Sequence, residues 1–162
     1  MKIPYYQIDA FITDKSFSGN PAGVCILDEW LSDDMLQSIA FENNLSETAF
    51  IIENRDHFKL RWFTPTLEMD LCGHATLAPA FLIMNVLSPN RKEVTFTSNS
   101  GELFAKKIDD LIEINFPTRP PEKCGPPDGL IGSMGANPIE VYRSRDHLLL
   151  YENEEQIRSL DP

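Results

Sequence analysis

The chain has 162 residues, 42 % hydrophobic and 24 % charged, with a formal net charge of −11. That is enough for one domain with its own core and part of a second, and the acidic balance argues against nucleic acid, which needs a basic face, and against an anionic membrane surface. No apolar run nears the roughly 20 residues that span a bilayer, the start Met1-Lys2-Ile3-Pro4 does not read as a signal peptide, and three cysteines without CxxC spacing make no disulfide framework, so a cytoplasmic protein with reduced thiols is expected.

In chain order, Ile3 to Phe11 reads as a strand. Thr13 to Gly23 reads as a loop carrying Gly19-Asn20-Pro21-Ala22-Gly23, with a short strand over Val24–Leu27. Ser32 is a candidate N-cap for a helix from Asp33 to about Asn43. Asp33 and Asp34 suit its positive end, and Met35, Leu36, Ile39 and Ala40 make its apolar face. Glu47–Glu53 and Phe58–Phe63 read as strands. In the second, Phe58, Leu60 and Trp62 alternate with Lys59 and Arg61, the pattern of a half-buried strand. A helix is expected from about His74 to Val86, so apolar that it should be buried on every side. Strands follow at Glu93–Ser98, Glu102–Lys107 and Leu111–Phe116, with an Asp109-Asp110 turn before the last.

The interval Pro117–Gly129 holds five prolines and two glycines, the composition of a linker. Beyond it come a short helix near Leu130–Met134, strands at Ile139–Arg143 and His147–Tyr151, and a helix from about Asn153 to Leu160. The expected organisation is a first domain over 1–116, a linker over 117–129, and the incomplete start of a second domain over 130–162. One apolar helix among several short strands gives an α+β class, with a mixed curved sheet wrapped around a central helix. No GxGxxG follows a strand and no GxxxxGK[ST] occurs, so nucleotide binding has no support.

Two stretches carry candidate chemistry. Asn44-Leu45-Ser46-Glu47-Thr48-Ala49-Phe50 sets one carboxylate at the edge of an apolar strand. Desolvation there disfavours the charged form and suits the group to proton transfer at neutral pH. Taken alone, Glu47 reads more readily as a turn cap or a solvated face. Asp70-Leu71-Cys72-Gly73-His74-Ala75-Thr76 gathers a thiol, a glycine, an imidazole and a hydroxyl where a strand gives way to a helix. A helix start attracts anions and lowers the pKa of a nearby thiol. Cys72 alone also reads as a small buried hydrophobe, His74 as a histidine satisfied at a helix end, and Thr76 as a first-turn hydroxyl. Together with Gly73 they favour a ligand site. The other Cys and His residues are scattered, so no metal site is expected. No GxSxG elbow supports a hydrolase.

The blocks Phe17-Ser18-Gly19-Asn20-Pro21-Ala22-Gly23-Val24, Asn44 to Phe50, Leu60-Arg61-Trp62-Phe63-Thr64-Pro65, Leu71 to Ala78, and Ser100-Gly101-Glu102-Leu103 follow one another in the order of the phenazine-biosynthesis PhzF-like family, which the chain resembles. The resemblance implies a diaminopimelate-epimerase-like fold of two similar domains with a site in the cleft between them. It implies a cofactor-independent isomerase whose best-understood relative shifts a proton in a dihydro-hydroxyanthranilate ring. It assigns the acid/base role to Glu47 and the binding of a small, carboxylate-bearing substrate to Asn20, Cys72, Gly73, His74, Ala75 and Thr76. Related epimerases carry a catalytic thiol at the place of Cys72, and the family often pairs into homodimers.

Two departures stand out. Pro79 sits where the family continues with a small helix former, so either the helix begins near Thr76 or it bends beside the site. The family's second glycine-rich helix start, with its aspartate and serine, does not occur in this chain. A truncated chain is therefore expected. The alternatives are a non-catalytic relative that binds a small molecule or a protein, and a racemase that depends on the Cys72 thiol.

Overall fold

A computed structural model describes residues 2–15 and 18–162. Ser16 and Phe17 lie outside the described residues, so the first residue of the Phe17–Val24 block is not placed. The chain divides into two compact units, Met1–Pro117 and Thr118–Pro162.

The first unit contains strands β1 (Tyr5–Ala10), β2 (Asn20–Leu27), β3 (Glu47–Asn54), β4 (His57–Phe63), β5 (Glu68–Met69), β6 (Glu93–Ser98), β7 (Gly101–Ile108) and β8 (Leu111–Asn115). Helix α1 spans Asp33–Asn43. Helix α2 spans His74–Leu82 and runs into a π-helical turn at Ile83–Leu87. The strand order is β1-β2-β3-β4-β6-β7-β8, with β5 paired to β4. The β2–β3 and β4–β6 pairs are parallel and the rest antiparallel. Helix α2 packs against β1, β2, β3 and β8. Because β1 and β8 are opposite ends of the sheet, the sheet must curl around the helix. This is the expected α+β architecture.

Side-chain alternation explains how one sheet serves two cores. Ala49 and Ile51 of β3 join the core around α2, with Val24, Leu60, Trp62 and Phe96. Phe50 and Ile52 face the other way and pack with Leu36 and Ala40 of α1, Cys25, Leu27 and Phe63. A strand covered on both faces needs an unbroken apolar run, and Ala49-Phe50-Ile51-Ile52 supplies it. Glu47 is in phase with Ala49 and Ile51, so its side chain is directed to the α2 side.

Helix α1 starts as its sequence dictates. Ser32 Oγ accepts the N–H of Met35 at 3.3 Å, and Asp33 and Asp34 occupy the first turn. Only part of its anticipated apolar face is covered: Leu36 and Ala40 are buried, while Met35 is exposed. The helix ends at Asn44, whose φ of 49° lets its N–H reach the Ala40 carbonyl. That left-handed cap turns the chain toward Glu47 three residues on.

Two expectations are corrected. The Thr13–Gly23 loop is shorter, because Asn20–Gly23 already belong to β2. Pro21 pairs with Asp9, and the β3 ladder begins only at Ala22, so the missing N–H falls where β2 has one partner strand. Helix α2 begins at His74, as expected, and carries Pro79 within it. Proline removes the N–H that would bond the Ala75 carbonyl; Trp62 Nε1 donates to that carbonyl instead, at 3.1 Å. Nor is the helical segment buried on every side. Phe81, Val86 and Leu87 are exposed, because the curled sheet wraps the helix and leaves one flank open.

In the second unit β9 (Glu122–Lys123), β10 (Glu140–Arg143) and β11 (His147–Leu150) form an antiparallel sheet in the order β11-β10-β9, with short helices α3 (Leu130–Met134) and α4 (Glu154–Arg158). The proline-rich 117–129 interval, expected as a linker, contributes β9, because Glu122 and Lys123 pair with Arg143 and Tyr142. Among the described residues no helix is long and apolar enough to cross a membrane.

The Asn44 cap gives a direct test. Asn44→Gly should leave stability unchanged or slightly higher. Asn44→Val should lower it by about 1–2 kcal/mol, the cost of a left-handed residue that is β-branched. Urea denaturation followed by tryptophan fluorescence measures both.

Candidate active site

The site is assembled from the first residue of β3 and the first residues of α2. Glu47 opens β3, paired with Ala22, and is half-buried. His74 opens α2 and is 8 % exposed. His74 Nε2 lies 3.3 Å from Glu47 Oε2, yet the two are not aligned as a hydrogen bond, and neither atom has a hydrogen-bond partner. On the other side of the ring, His74 Nδ1 lies 3.5 Å from Cys72 Sγ. The imidazole, the thiol and the carboxylate therefore lie together, within 4.8 Å of one another.

Buried polar atoms are nearly always hydrogen-bonded, and leaving one unpaired costs about 1–3 kcal/mol. Two such atoms facing each other are free to engage a ligand. Gly73 adds to this picture. It is exposed, its φ of −68° suits any residue, and a Cβ there would meet nothing within 4 Å. The first turn of α2 thus faces open space over Gly73.

The other residues named from the sequence divide into two groups. Ala75 and Thr76 are fully buried. Thr76 Oγ1 donates to the Cys72 carbonyl at 2.5 Å, so its hydroxyl braces the turn internally. Asn20, the first residue of β2, accepts from Ser46 Oγ at 3.4 Å through Oδ1; it lies two residues before Ala22, the partner of Glu47.

The chemistry of Cys72 differs from the sequence expectation. The helix start was to lower its pKa, and the Ala75 and His74 amides do act in that direction. Burial acts more strongly the other way, and the Glu47 carboxylate adds to it, so the thiol is pushed up to about 11. At neutral pH Cys72 is a protonated thiol. Cys25 lies in the second core, 1 % exposed, and burial pushes it up to about 12.

Glu47, Cys72 and His74 each present a donor atom within 4.8 Å of the others, closer than their sequence spacing suggested.

The sequence reading missed what holds this cluster. Arg61 pairs with both oxygens of Glu68 at 2.7 Å and with Asp33 at 2.9 Å. This ties α1, β4 and β5 together just ahead of Cys72. Ser100 Oγ donates to the Asp70 carbonyl at 2.7 Å, which anchors the same segment to the β6–β7 turn. The signal was present in the Leu60–Pro65 and Ser100–Leu103 blocks, which stood out before any role for them was visible.

Residues 8–161 match the family described as phenazine biosynthesis-like protein. The chain belongs to this family. It is 45 % identical over 162 residues to an uncharacterised isomerase of Pseudomonas aeruginosa, covering 100 % of this chain and 62 % of that protein. It is 46 % identical over 128 residues to the human phenazine biosynthesis-like domain-containing protein, covering 74 % of this chain and 44 % of that one. A crystal structure of a PhzF-family protein from Enterococcus faecalis superposes with a TM-score of 0.87 at 41 % identity, covering 100 % of this chain and 62 % of that chain. A predicted epimerase from P. aeruginosa shares the fold, with a TM-score of 0.71. The PhzF-like chain therefore spans 62 % of the length of the bacterial relatives it matches.

The raised thiol makes a measurable prediction. Alkylation of Cys72 by iodoacetamide, read by peptide mass spectrometry, should be slow at pH 8 and climb toward a midpoint of about 11. In Glu47→Gln the midpoint should fall, because a neutral amide no longer opposes the thiolate.

Proposed function

We propose that this PhzF-like chain carries the acid/base half of an isomerase acting on a small, carboxylate-bearing molecule. The observation that carries the reading is the buried, unpartnered pair of Glu47 Oε2 and His74 Nε2, in a chain whose bacterial relative is named an isomerase. Glu47 removes a proton from carbon next to a carboxylate or carbonyl and returns it elsewhere. It opens an apolar strand, and its Oε2 is buried without a hydrogen-bond partner, placed to take up a proton. His74 supplies a hydrogen bond across the site and completes the pairing of the substrate oxygen. The α2 start directs its dipole at the same place and favours a negatively charged group over Gly73–Ala75. The side chains move the proton without a cofactor.

Cys72 holds a structural place in this scheme. A thiol with a pKa of about 11 is a poor base at neutral pH, and its sulfur packs against the imidazole and orients it. We assign the first unit as an epimerase-like domain and the segment beyond Gly129 as the opening of a second one, so the complete protein is the proper subject for activity.

In the complete protein, Glu47→Gln should slow solvent-deuterium incorporation into substrate by about 10²–10⁴-fold, the usual contribution of one positioned acid or base. Cys72→Ser should retain most of it. Mass spectrometry of the substrate in D₂O reads both. Unchanged exchange in Glu47→Gln, or exchange abolished only in Cys72→Ser, would overturn the assignment in favour of a thiol base.

A further inference from the structure

We propose that Trp62 is a positioning residue for the Glu47–His74 pair, acting through the Ala75 carbonyl that Pro79 leaves without a helical partner. The inference rests on the acid/base reading of that pair and adds to it the device that sets its geometry. In an uninterrupted helix the Ala75 carbonyl would accept the N–H of residue 79. Proline has no N–H there, and its ring crowds that same carbonyl. Ala75 is fully buried, so water does not reach the freed oxygen. The Trp62 indole N–H, itself on a residue 1 % exposed, fills the vacancy at 3.1 Å.

The position of Trp62 gives this bond its leverage. In register, Trp62 is the partner of Ala49 on one side and of Met69 on the other. Ala49 lies two residues from Glu47 on the same face of β3. Met69 ends β5, three residues before Cys72. One side chain is therefore flanked by the strand that bears the base and the strand that leads into the thiol and imidazole, and it is bonded to the residue after His74. Thr76 braces the α2 start only to Cys72, within its own segment. The contact between His74 and Glu47 is not an aligned hydrogen bond and does not fix the distance between them. The Trp62–Ala75 bond sets the rotation of the first turn, and with it the direction of the imidazole. Pro79 makes the bond obligatory, because the carbonyl has no backbone partner to fall back on.

A double-mutant cycle tests this. Trp62→Phe keeps an aromatic ring and removes the N–H; Pro79→Ala restores the backbone donor to Ala75. Two readouts are taken: the His74 imidazole resonances by NMR in the full chain, and kcat and KM for solvent exchange in the complete protein. Trp62→Phe should displace the His74 resonances and lower kcat about tenfold or more, as misplacement of a reacting group does. In the Pro79→Ala background the same substitution should move the resonances little and leave kcat within about twofold, since the carbonyl keeps a partner. A merely volume-filling Trp62 predicts equal losses in both backgrounds, and that result would overturn the proposal. Unmoved His74 resonances in Trp62→Phe would do the same. If Trp62→Phe alone does not fold, the double variant should, and failure of both to fold alike counts against the coupling. If the protein shows no exchange activity at all, the acid/base reading fails, while the NMR cycle still decides the positioning role.

Discussion

A helix buried inside a curled sheet governs the rest of this structure. Helix α2 touches both ends of the sheet, and seven of its nine residues are buried. Polar groups at its start therefore have to find partners in protein. The Ala75 carbonyl finds an indole, and the Thr76 hydroxyl finds the Cys72 carbonyl. His74 Nε2 and Glu47 Oε2 find only each other, out of alignment. In a fold that satisfies its buried groups so thoroughly nearby, this exception is specific.

The same burial decides which group can act as a base. A helix N-terminus is a favourable place for a thiolate in water-accessible sites. Here desolvation and the adjacent carboxylate outweigh the two helix amides, and Cys72 is held protonated. The thiol therefore keeps its proton beside the carboxylate. On the proposed reading, this carboxylate, imidazole and protonated thiol would shuttle protons rather than attack substrate.

Much of the architecture was legible because local and global signals agree. Ser32 with Asp33 and Asp34 announces α1, and the observed cap is the predicted one. The run Ala49–Ile52 announces a strand covered on both faces, and the phase of that strand alone sends Glu47 toward α2. The β6 bounds coincide with the Glu93–Ser98 pattern. What escaped was set by tertiary partners. Gly19-Asn20-Pro21 reads as a turn, but pairing with β1 draws Asn20 and Pro21 into β2. Apolar periodicity does not tell how far a sheet curls, so the exposure of Phe81 and Val86 was not legible. The sign of the Cys72 shift needed its burial, to which Glu47, 25 positions earlier, adds. Pro79 looked like a defect in the helix, and only the position of Trp62 on a neighbouring strand shows how it is accommodated.

On the proposed reading, the facing atoms of Glu47 and His74 engage a small acidic ligand. A crystal structure of the complete protein with a bound small carboxylic acid tests it most directly. The account predicts the acid within hydrogen-bond distance of both Glu47 Oε2 and His74 Nε2, with its carboxylate toward the α2 start. An acid bound elsewhere, with Glu47 and His74 closed on each other in an aligned hydrogen bond, would contradict it.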